Sequence, residues 1–357
     1  NFVNWIRNLS YLINPYLYGA AGGLPYYEEL GRTKLTGAGD LISVSLSETM
    51  PYLMVLTTMI DDTTDNAAGA YYFNADPNGD YAARYNGDFG SDSTESNRNY
   101  IYLTDGMGAG THGFGVITVT DTDTTHEKLT FAQAVANRAG TGSANAPNQW
   151  QVAGKYVPDS SANISSVEIY NQNTGNFDTD SEAIVLGYTG ANTGSNFWEE
   201  LASVEVTGAS TDTLDTGTFT SKPYLYVEYH CIPDGNIDIA MQANSLTSND
   251  YAKREYDDFT GGGTQGNINY FGWGKGSGGA NDSFGYGFLQ NVSSQEKLWQ
   301  SWGMDNGGGG TGNAPSTRMN AGKLAKTDQE ITSLQLIENG QSGQLGVGTT
   351  FRVWGGS

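Results

Sequence analysis

The sequence predicts an all-β protein built from two tandem antiparallel β-sandwich domains behind a short N-terminal arm. Three observations predict this fold class. The second half of the chain repeats the motifs of the first half in the same order. After residue 27, short runs of alternating or aromatic residues are separated by turns rich in Gly, Asp and Asn, as in sandwiches. The chain of 357 residues contains 49 glycines and 22 tyrosines, which suits many turns and an aromatic core.

The repeat is recognised by short motifs. The segment YEEL at 27–30 returns as WEEL at 198–201. Further pairs are TGA at 36–38 and 207–209, PYL at 51–53 and 223–225, GFG at 113–115 and GYG at 285–287, EKL at 127–129 and 296–298, and AGK at 153–155 and 321–323. The spacing between partners drifts by only a few residues, as small loop changes would produce, so we infer a duplicated domain. The predicted units are an arm at 1–26, a first domain at 27–188, a linker at 189–197 and a second domain at 198–357.

The arm differs from everything that follows it. Residues 1–25 contain Arg7 and no acidic residue, and their apolar side chains have near-helical spacing up to Pro15. The apolar residues of this assembly arm are Phe2, Trp5, Ile6, Leu9, Leu12 and Ile13. Exposed apolar stripes are uncommon on monomers, so the arm is predicted to dock on another subunit or a larger assembly. The alternative is that it packs on the sheet of the first domain.

Strands are predicted throughout both domains. In the first domain they lie at 41–46, 51–60, 70–74, 99–103, 113–119, 128–135, 149–156, 164–170 and 183–188. The run at 51–60 starts with apolar residues on both faces, which is typical of a central strand. In the second domain strands are predicted at 224–232, 237–243, 268–273, 283–289, 298–304, 329–336 and 350–354. The glycines at 261–263, 276–279 and 307–310 are predicted turns, and the small uncharged residues 189–196 predict a tether between the domains.

Composition excludes several functional classes. The net charge of −22, with only 17 Lys and Arg, is unsuited to nucleic acid because phosphate contacts need clustered cations. An apolar run long enough to span a membrane is missing from the sequence. Cys231 is the single cysteine, so an intrachain disulfide is impossible, and its apolar surroundings predict a buried, inert thiol.

The repeated motifs resemble a known family. The opening aromatic-Glu-Glu-Leu strand, the Thr-Gly-Ala turn, the Pro-Tyr-Leu strand, Tyr-Ala-x-Arg at 81–84 and 251–254, and the late Ala-Gly-Lys are similar to the jelly-roll, concanavalin-like domains in virion structural proteins of tailed phages, especially environmental and marine ones. The likeness covers 27–188 and 198–356. It implies a particle-borne fibre, appendage or decoration on head or tail, in some cases with glycan binding.

Catalytic and metal motifs are weak. Glycosidases on such folds need two carboxylates facing one cleft, but Asp238 in 236–241 has no glutamate partner there, and Glu168 is also unpaired. We therefore predict no enzymatic activity and a solvated Asp238 beside a turn. The stretch Asp76–Asp80 starts like a calcium loop but has no glutamate at its twelfth position, so an ordinary Asp/Asn turn is predicted. The dispersed histidines, His112, His126 and His230, do not predict a metal site, and no cofactor is predicted.

Aromatic residues leave one further alternative open. Side chains that could stack on sugar rings are more often sandwich core; they are Tyr71, Tyr72, Tyr81, Tyr85, Tyr251, Tyr256, Trp273, Trp299 and Trp302. Trp299 and Trp302 cannot share one face of a regular strand, so at least one is expected to face outward or into a subunit contact.

The sequence therefore predicts a non-enzymatic, homo-oligomeric virion structural protein in a virion or extracellular setting, assembled through its arm with other virion proteins or copies of itself. One alternative is a secreted or virion-borne carbohydrate-binding, lectin-like protein. Another is a double jelly-roll capsid protein, which would need two tightly packed domains.

Overall fold

The protein is all-β in the part that its computed structural model describes, which is residues 26–62, 66–138, 140–158, 161–189, 195–258, 260–276, 282–306 and 315–357. All regular elements there are β-strands with antiparallel pairing. They build two tandem jelly-roll sandwiches, which confirms the predicted fold class. Among these residues there is also no helix that is long and apolar enough to cross a membrane.

The first sandwich consists of an eight-stranded and a four-stranded sheet. Its strands are β1 (Glu28–Lys34), β2 (Leu41–Ser45), β3 (Tyr52–Ile60), β4 (Gly69–Phe73), β5 (Tyr81–Gly87), β6 (Ser93–Arg98), β7 (Ile101–Tyr102), β8 (His112–Thr120), β9 (Lys128–Ala136), β10 (Asn148–Tyr156), β11 (Ser166–Asn171) and β12 (Glu182–Tyr188). The large sheet has the order β1-β12-β3-β8-β9-β10-β5-β6, and the small sheet has the order β2-β11-β4-β7.

The second sandwich repeats this arrangement. Its strands are β13 (Glu199–Glu205), β14 (Thr213–Asp215), β15 (Tyr224–Cys231), β16 (Pro233–Asp234), β17 (Ile237–Ala243), β18 (Tyr251–Asp257), β19 (Thr260–Ile268), β20 (Phe271–Gly276), β21 (Ser283–Gln290), β22 (Lys297–Asp305), β23 (Ser316–Leu324), β24 (Leu334–Glu338), β25 (Gln344–Leu345) and β26 (Thr350–Gly356). The large sheet is β13-β26-β15-β21-β22-β23-β18-β19, the small sheet is β14-β24-β17-β20, and β16 pairs with β25. The matching order of strands is what a duplicated domain produces.

Each sandwich has its own apolar core between its two sheets. In the first domain the core includes Val55, Tyr71, Ile117 and Val167, and in the second it includes Val227, Trp299 and Leu336. These side chains occupy alternate positions of their strands, because successive residues of a strand point to opposite faces. The alternation leaves the other face of each large sheet for a different partner.

Two of the repeated motifs hold the sheets together at equivalent places. The hydroxyl of Tyr81 accepts from the backbone N–H of Phe73 at 2.9 Å, and Tyr251 does the same with Ala243 at 3.0 Å. The amide oxygen of Asn74 accepts from Ser165 N at 2.7 Å, and that of Asn244 accepts from Thr332 N at 2.9 Å. Asn74 and Asn244 both have positive φ, which asparagine tolerates better than most residues, so these motifs recur because the turns require them.

Several strand predictions need correction. Strands β5, β6, β18 and β23 were not predicted, because polar residues interrupt their alternating pattern, at mostly exposed positions in β6 and at mostly buried positions in β23. The glycines at 261–263 were predicted to form a turn, but they lie within β19. This strand is at the sheet edge and pairs only with β18, where glycine loses little packing. The other two predicted glycine turns, apart from Gly276 at the end of β20, lie outside the described residues.

The two domains pack against each other through their large sheets. The small and large sheets of the first domain and the large and small sheets of the second therefore form four stacked layers. A third apolar cluster joins outer-face residues of both sheets; it includes Met54, Leu56, Phe114, Val116 and Ile184 of the first domain and Tyr224, Tyr226, Phe288, Leu298 and Trp354 of the second. The prediction of two tethered domains from the composition of 189–196 is therefore wrong. Linker composition limits the reach of a connection, but the apolar outer faces decide whether the domains dock.

Candidate functional site

The predicted assembly arm lies outside the described residues. Phe2, Trp5, Ile6, Leu9, Leu12 and Ile13 all precede residue 26, where the description starts. The chain enters the described part at Tyr26, and Tyr27 already belongs to the cluster between the domains. The backbone N–H of Phe197, at the start of the second domain, donates to the carbonyl of Tyr27 at 2.7 Å. The arm is therefore attached at the boundary between the two domains.

The interface between the large sheets is closed at one end of the strands and open at the other. In the first domain the register places Thr58, Phe114 and Val135 in one row, and all three are buried. Further along the same strands, Phe131 is 46% exposed and Leu129 is 53% exposed. Since all five side chains lie on the outer face of the sheet, the second domain covers one end of this face and leaves the other end accessible.

The second domain shows the same gradient on its own large sheet. Its buried row contains Tyr224, Gln290 and Leu298, whereas Met304 at the far end of β22 is 49% exposed. Between these ends, Tyr286 stacks on Trp302 with ring centroids 5.2 Å apart. Both sheets therefore present apolar side chains where they diverge.

We call this set the aromatic rim; it comprises Leu129, Phe131, Phe284, Tyr286, Trp302 and Met304. Its rings form a continuous series across the domain boundary. Phe284 and Tyr286 have centroids 6.2 Å apart, and Trp302 contacts Phe131 of the other domain at 6.4 Å. Trp299 is buried in the second core, so the prediction that the two tryptophans lie on different faces is confirmed. Leu129, Phe131 and Met304 are exposed, whereas Phe284, Tyr286 and Trp302 are half-buried. An apolar group that continues a buried interface into solvent in this way is typical of a docking surface.

A buried polar cluster fixes the closed end of the interface. The carboxylate of Glu296 accepts from Asn137 Nδ2 at 2.8 Å and from the backbone N–H of Gly142 at 2.6 Å, both in the first domain. Within its own domain Glu296 lies 3.5 Å from the ammonium group of Lys323. That ammonium group donates to the carbonyl of Gly140 at 2.7 Å. One acidic side chain thus links both domains by hydrogen bonds to charged groups, which are the stronger kind.

His112 adds a pH-sensitive contact to the same cluster. Its Nε2 lies 2.8 Å from the carbonyl of Glu296, so this nitrogen carries the proton and donates. Burial, with smaller contributions from the charges of Lys323 and Lys297, lowers the pKa of His112 to about 4. The imidazole is therefore neutral in the folded protein at physiological pH.

We expect acid to weaken the folded protein through this histidine. The folded pKa is below the usual value of 6.5, so the unfolded chain binds the proton first. Stability should therefore fall as the pH drops from 6.5 towards 4, by up to about 3 kcal/mol. Urea unfolding at several pH values should show this loss in the wild type and a smaller loss in His112→Gln. His230→Gln, a change at a more exposed histidine, is the control. Parallel profiles for wild type and His112→Gln would contradict the assignment.

The remaining predicted candidates are held by ordinary structural contacts. Asp238 is not a solvated residue beside a turn: it lies in β17, and its carboxylate is 2.6 Å from Arg318 Nη1, so that prediction is wrong. The error arose because the sequence does not show which cation packs against the strand. Asp76 accepts from Asn78 Nδ2 at 2.6 Å and from the Tyr156 hydroxyl at 3.0 Å. Within the described ranges, no group of three or more His, Cys, Asp or Glu residues is placed to hold a metal ion.

Cys231 and the glutamates of the repeated YEEL and WEEL motifs have structural surroundings. The predicted burial of Cys231 is confirmed, and this burial raises the pKa of its thiol to about 12. Glu29 forms an ion pair with Arg32 at 2.8 Å, and Glu199 forms one with Lys222 at 3.0 Å. Both copies of the Glu-Glu motif lie on the equivalent edge strands β1 and β13.

Comparisons with known proteins add little beyond the fold. No family model matches the sequence, and no curated protein matches it. Among solved structures, the LG1-3 region of the laminin alpha2 chain is 8% identical with a TM-score of 0.20, and the match covers 89% of this chain and 64% of that one. Domains LG4-5 of the mouse laminin alpha1 chain are 9% identical with a TM-score of 0.18, covering 94% and 92%. The chain thus spans less than two thirds of the first of these structures. Likenesses this low carry no argument about function.

Proposed function

We propose that this protein is a non-enzymatic structural subunit of a virus particle, a fibre, appendage or decoration subunit on head or tail, which assembles through its N-terminal arm. The aromatic rim is the observation that carries the proposal. Its exposed apolar side chains continue the interface between the domains. A further apolar segment bound there would therefore extend a contact that is already apolar and buried. The arm has the matching chemistry, because it is apolar and contains no acidic residue.

The occupant of the rim in this proposal is the arm of a neighbouring copy. The whole chain is strongly acidic, with a net charge of −22 to which the arm contributes no acidic residue, so two copies repel each other over most of their surfaces. An acid-free arm seated on an uncharged rim avoids that repulsion. Exchange of arms between copies gives a homo-oligomer, and the same contact could be made with another protein of the particle. The packed pair of acidic sandwiches then forms the exterior of an extracellular or virion-borne assembly.

We expect the full chain to be oligomeric and two kinds of variant to be monomeric. One variant lacks residues 1–25, and the other carries Phe131→Ser with Trp302→Ser. Burying each of these side chains contributes roughly 1.5–3 kcal/mol, so losing two should weaken association at least about 100-fold. Light scattering at several concentrations measures the effect.

Val347→Ser is the matched control, because Val347 is an apolar residue that is 52% exposed but lies outside the rim. It should leave the oligomer intact. A full chain that is monomeric at all concentrations would overturn the proposal, since its arm would then pack on its own first domain or remain unused. If the variant with Phe131→Ser and Trp302→Ser remains oligomeric, the arm does not bind at the aromatic rim.

A second candidate is a double jelly-roll capsid protein, in which the two sandwiches build the shell itself. The specific observation in its favour is the apolar contact between the large sheets, since such a protein requires tightly packed domains. Light scattering and electron microscopy separate the two candidates. A shell protein should form closed particles of many copies, whereas a decoration or fibre subunit should form small oligomers.

A further inference from the structure

The buried polar cluster at the closed end of the domain interface brings an amine and a side-chain amide together. Lys323 lies in β23 of the second domain, and Asn137 follows β9 of the first; both are completely buried. Nζ of Lys323 is 3.5 Å from Oε2 of Glu296, and Nδ2 of Asn137 donates to the same oxygen at 2.8 Å. One carboxylate oxygen therefore contacts both groups, although they come from different domains.

A second set of hydrogen bonds keeps the amine beside the amide. Nζ of Lys323 donates to the carbonyl of Gly140 at 2.7 Å, and the backbone N–H of Gly140 donates to the carbonyl of Asn137 at 2.9 Å. The amine is thus fixed to the turn that begins at Asn137. Groups held next to each other in this way react as if at a very high local concentration, because no encounter is needed.

The amide of Asn137 presents its nitrogen to groups that can transfer protons. Its Nδ2 donates to Glu296 and lies 3.5 Å from Nδ1 of His112. Nε2 of His112 carries the proton of the neutral ring, so Nδ1 is an acceptor. An amide C–N bond breaks when its nitrogen is protonated, and Glu296 is in contact with that nitrogen.

Burial makes Lys323 a better nucleophile than a surface lysine. It lowers the pKa of the ammonium group, so the uncharged amine that attacks a carbonyl carbon forms more easily. The equivalent pair in the first domain, Lys155 and Glu127, is 3.1 Å apart and exposed to water. The duplication therefore provides one buried copy and one exposed copy of the same pair.

We propose that Lys323 and Asn137 form an isopeptide bond, with Glu296 as the catalytic acid and base. Glu296 accepts a proton from the Lys323 ammonium group, and Nζ of the resulting amine attacks Cγ of Asn137. Glu296 then passes its proton to Nδ2 and accepts one from Nζ. The bond between Cγ and Nδ2 breaks, and the released ammonia takes the last proton from Glu296 and leaves as ammonium. The new amide bond joins Nζ to Cγ, and no oxidant, reductant or cofactor takes part.

The bond joins β23 of the second domain to the end of β9 in the first and locks the closed end of the interface. A cross-link between residues that are distant in sequence restricts the unfolded chain, so it favours the packed arrangement of the domains. Before the bond forms, Lys323 is the charged partner of Glu296. The aromatic rim and the arm take no part in this reaction, which is therefore independent of the assembly proposed above.

Mass spectrometry of the denatured full chain tests the bond. The wild type should be lighter than its sequence mass by one ammonia molecule. Trypsin should release residues 129–138 linked to residues 319–326, because a modified Lys323 is no longer cleaved. Lys323→Arg, Asn137→Ala and Glu296→Gln should each retain the full mass, since they remove the nucleophile, the acyl group and the proton transfer, respectively.

Lys155→Arg is the matched control, since it changes the exposed copy of the same pair and should leave the loss of ammonia unchanged. Circular dichroism checks that each variant is folded. A wild-type chain that keeps its full sequence mass after prolonged incubation at neutral pH overturns the proposal, whether or not the variants fold. Loss of ammonia without the linked peptide would also overturn it, because an asparagine can lose ammonia by forming a ring with its own backbone. Formation of the bond in folded Glu296→Gln would overturn the catalytic role of Glu296.

Discussion

Glu296→Ala is expected to destabilise the protein by about 3–5 kcal/mol and to uncouple its two domains. The substitution removes the acceptor for Asn137 and Gly142 of the first domain. It also leaves Lys323, whose side chain has 0% exposure, without a counter-charge. Burial already lowers the pKa of Lys323, and the charge and hydrogen bond of Glu296 oppose that effect. Removing one member of a buried pair costs much more than removing an exposed one.

The duplicated domain supplies the control for this prediction. Glu127 and Lys155 occupy the equivalent motifs of the first domain, where their side chains are 49% and 42% exposed and 3.1 Å apart. Glu127→Ala should therefore cost less than about 1 kcal/mol. The same chemical change at two related positions isolates the effect of burial at the domain interface.

Differential scanning calorimetry and urea unfolding measure both outcomes. The wild type should unfold in one transition because the shared apolar cluster couples its domains. Glu296→Ala should lower the midpoint and separate the transitions of the two domains. Similar losses for Glu296→Ala and Glu127→Ala would show that the buried cluster does not hold the domains together.

The fold class was predictable because local patterns and the repeat agree. β3 was predicted from its apolar residues alone, and it is indeed buried on both faces. Its two-sided pattern also contained the signal for domain docking, since one face packs in the first core and the other carries Met54 and Leu56 into the interface. From the sequence, the apolar residues on both faces predicted only that the strand is central in its sheet. Periodicity reports that a face is covered, but it does not identify the partner.

The buried charged cluster of Arg318 with Asp238 and Asp257 in the second core could have been found by aligning the two copies. When the two copies are aligned on the motif AGK at 153–155 and 321–323, Asn320 aligns with Val152 and Arg318 aligns with Trp150. Such a change from apolar to charged residues at core positions is unexpected for a plain repeat. The ion pairs themselves could not be predicted, because Asp238 and Arg318 come from different sheets and meet only after both sheets have packed.

Asp121→Ala is expected to cost the first domain about 3–5 kcal/mol. Its carboxylate lies 2.8 Å from the ammonium group of Lys128, and both side chains are buried, with exposed fractions of 0% and 1%. The second carboxylate oxygen accepts from the backbone N–H of Ile164 at 2.8 Å. Alanine would therefore leave a buried ammonium group without its counter-charge and a buried N–H without an acceptor.

The second domain shows how the same position works without a carboxylate. Asn291 replaces Asp121 there, and its amide oxygen accepts from Ile331 N at 2.7 Å. Lys297, the counterpart of Lys128, donates to the carbonyls of Val292 and Gln295 at 3.0 and 2.6 Å, and burial lowers its pKa to about 8. An amide thus keeps the backbone contact, while for the lysine the effect of burial outweighs the favourable charges of Glu330 and Asp328.

Asp121→Asn should therefore cost about 1–2 kcal/mol less than Asp121→Ala, because it keeps the acceptor for Ile164 and gives up only the ionic interaction. Urea unfolding at neutral pH measures the loss of unfolding free energy in each of the two variants. The difference between the two losses gives the contribution of the buried hydrogen bond to Ile164. Equal costs would show that the ion pair dominates and that the contact with Ile164 is dispensable. A cost below about 1 kcal/mol for Asp121→Ala would mean that this pair behaves like a surface ion pair despite its burial.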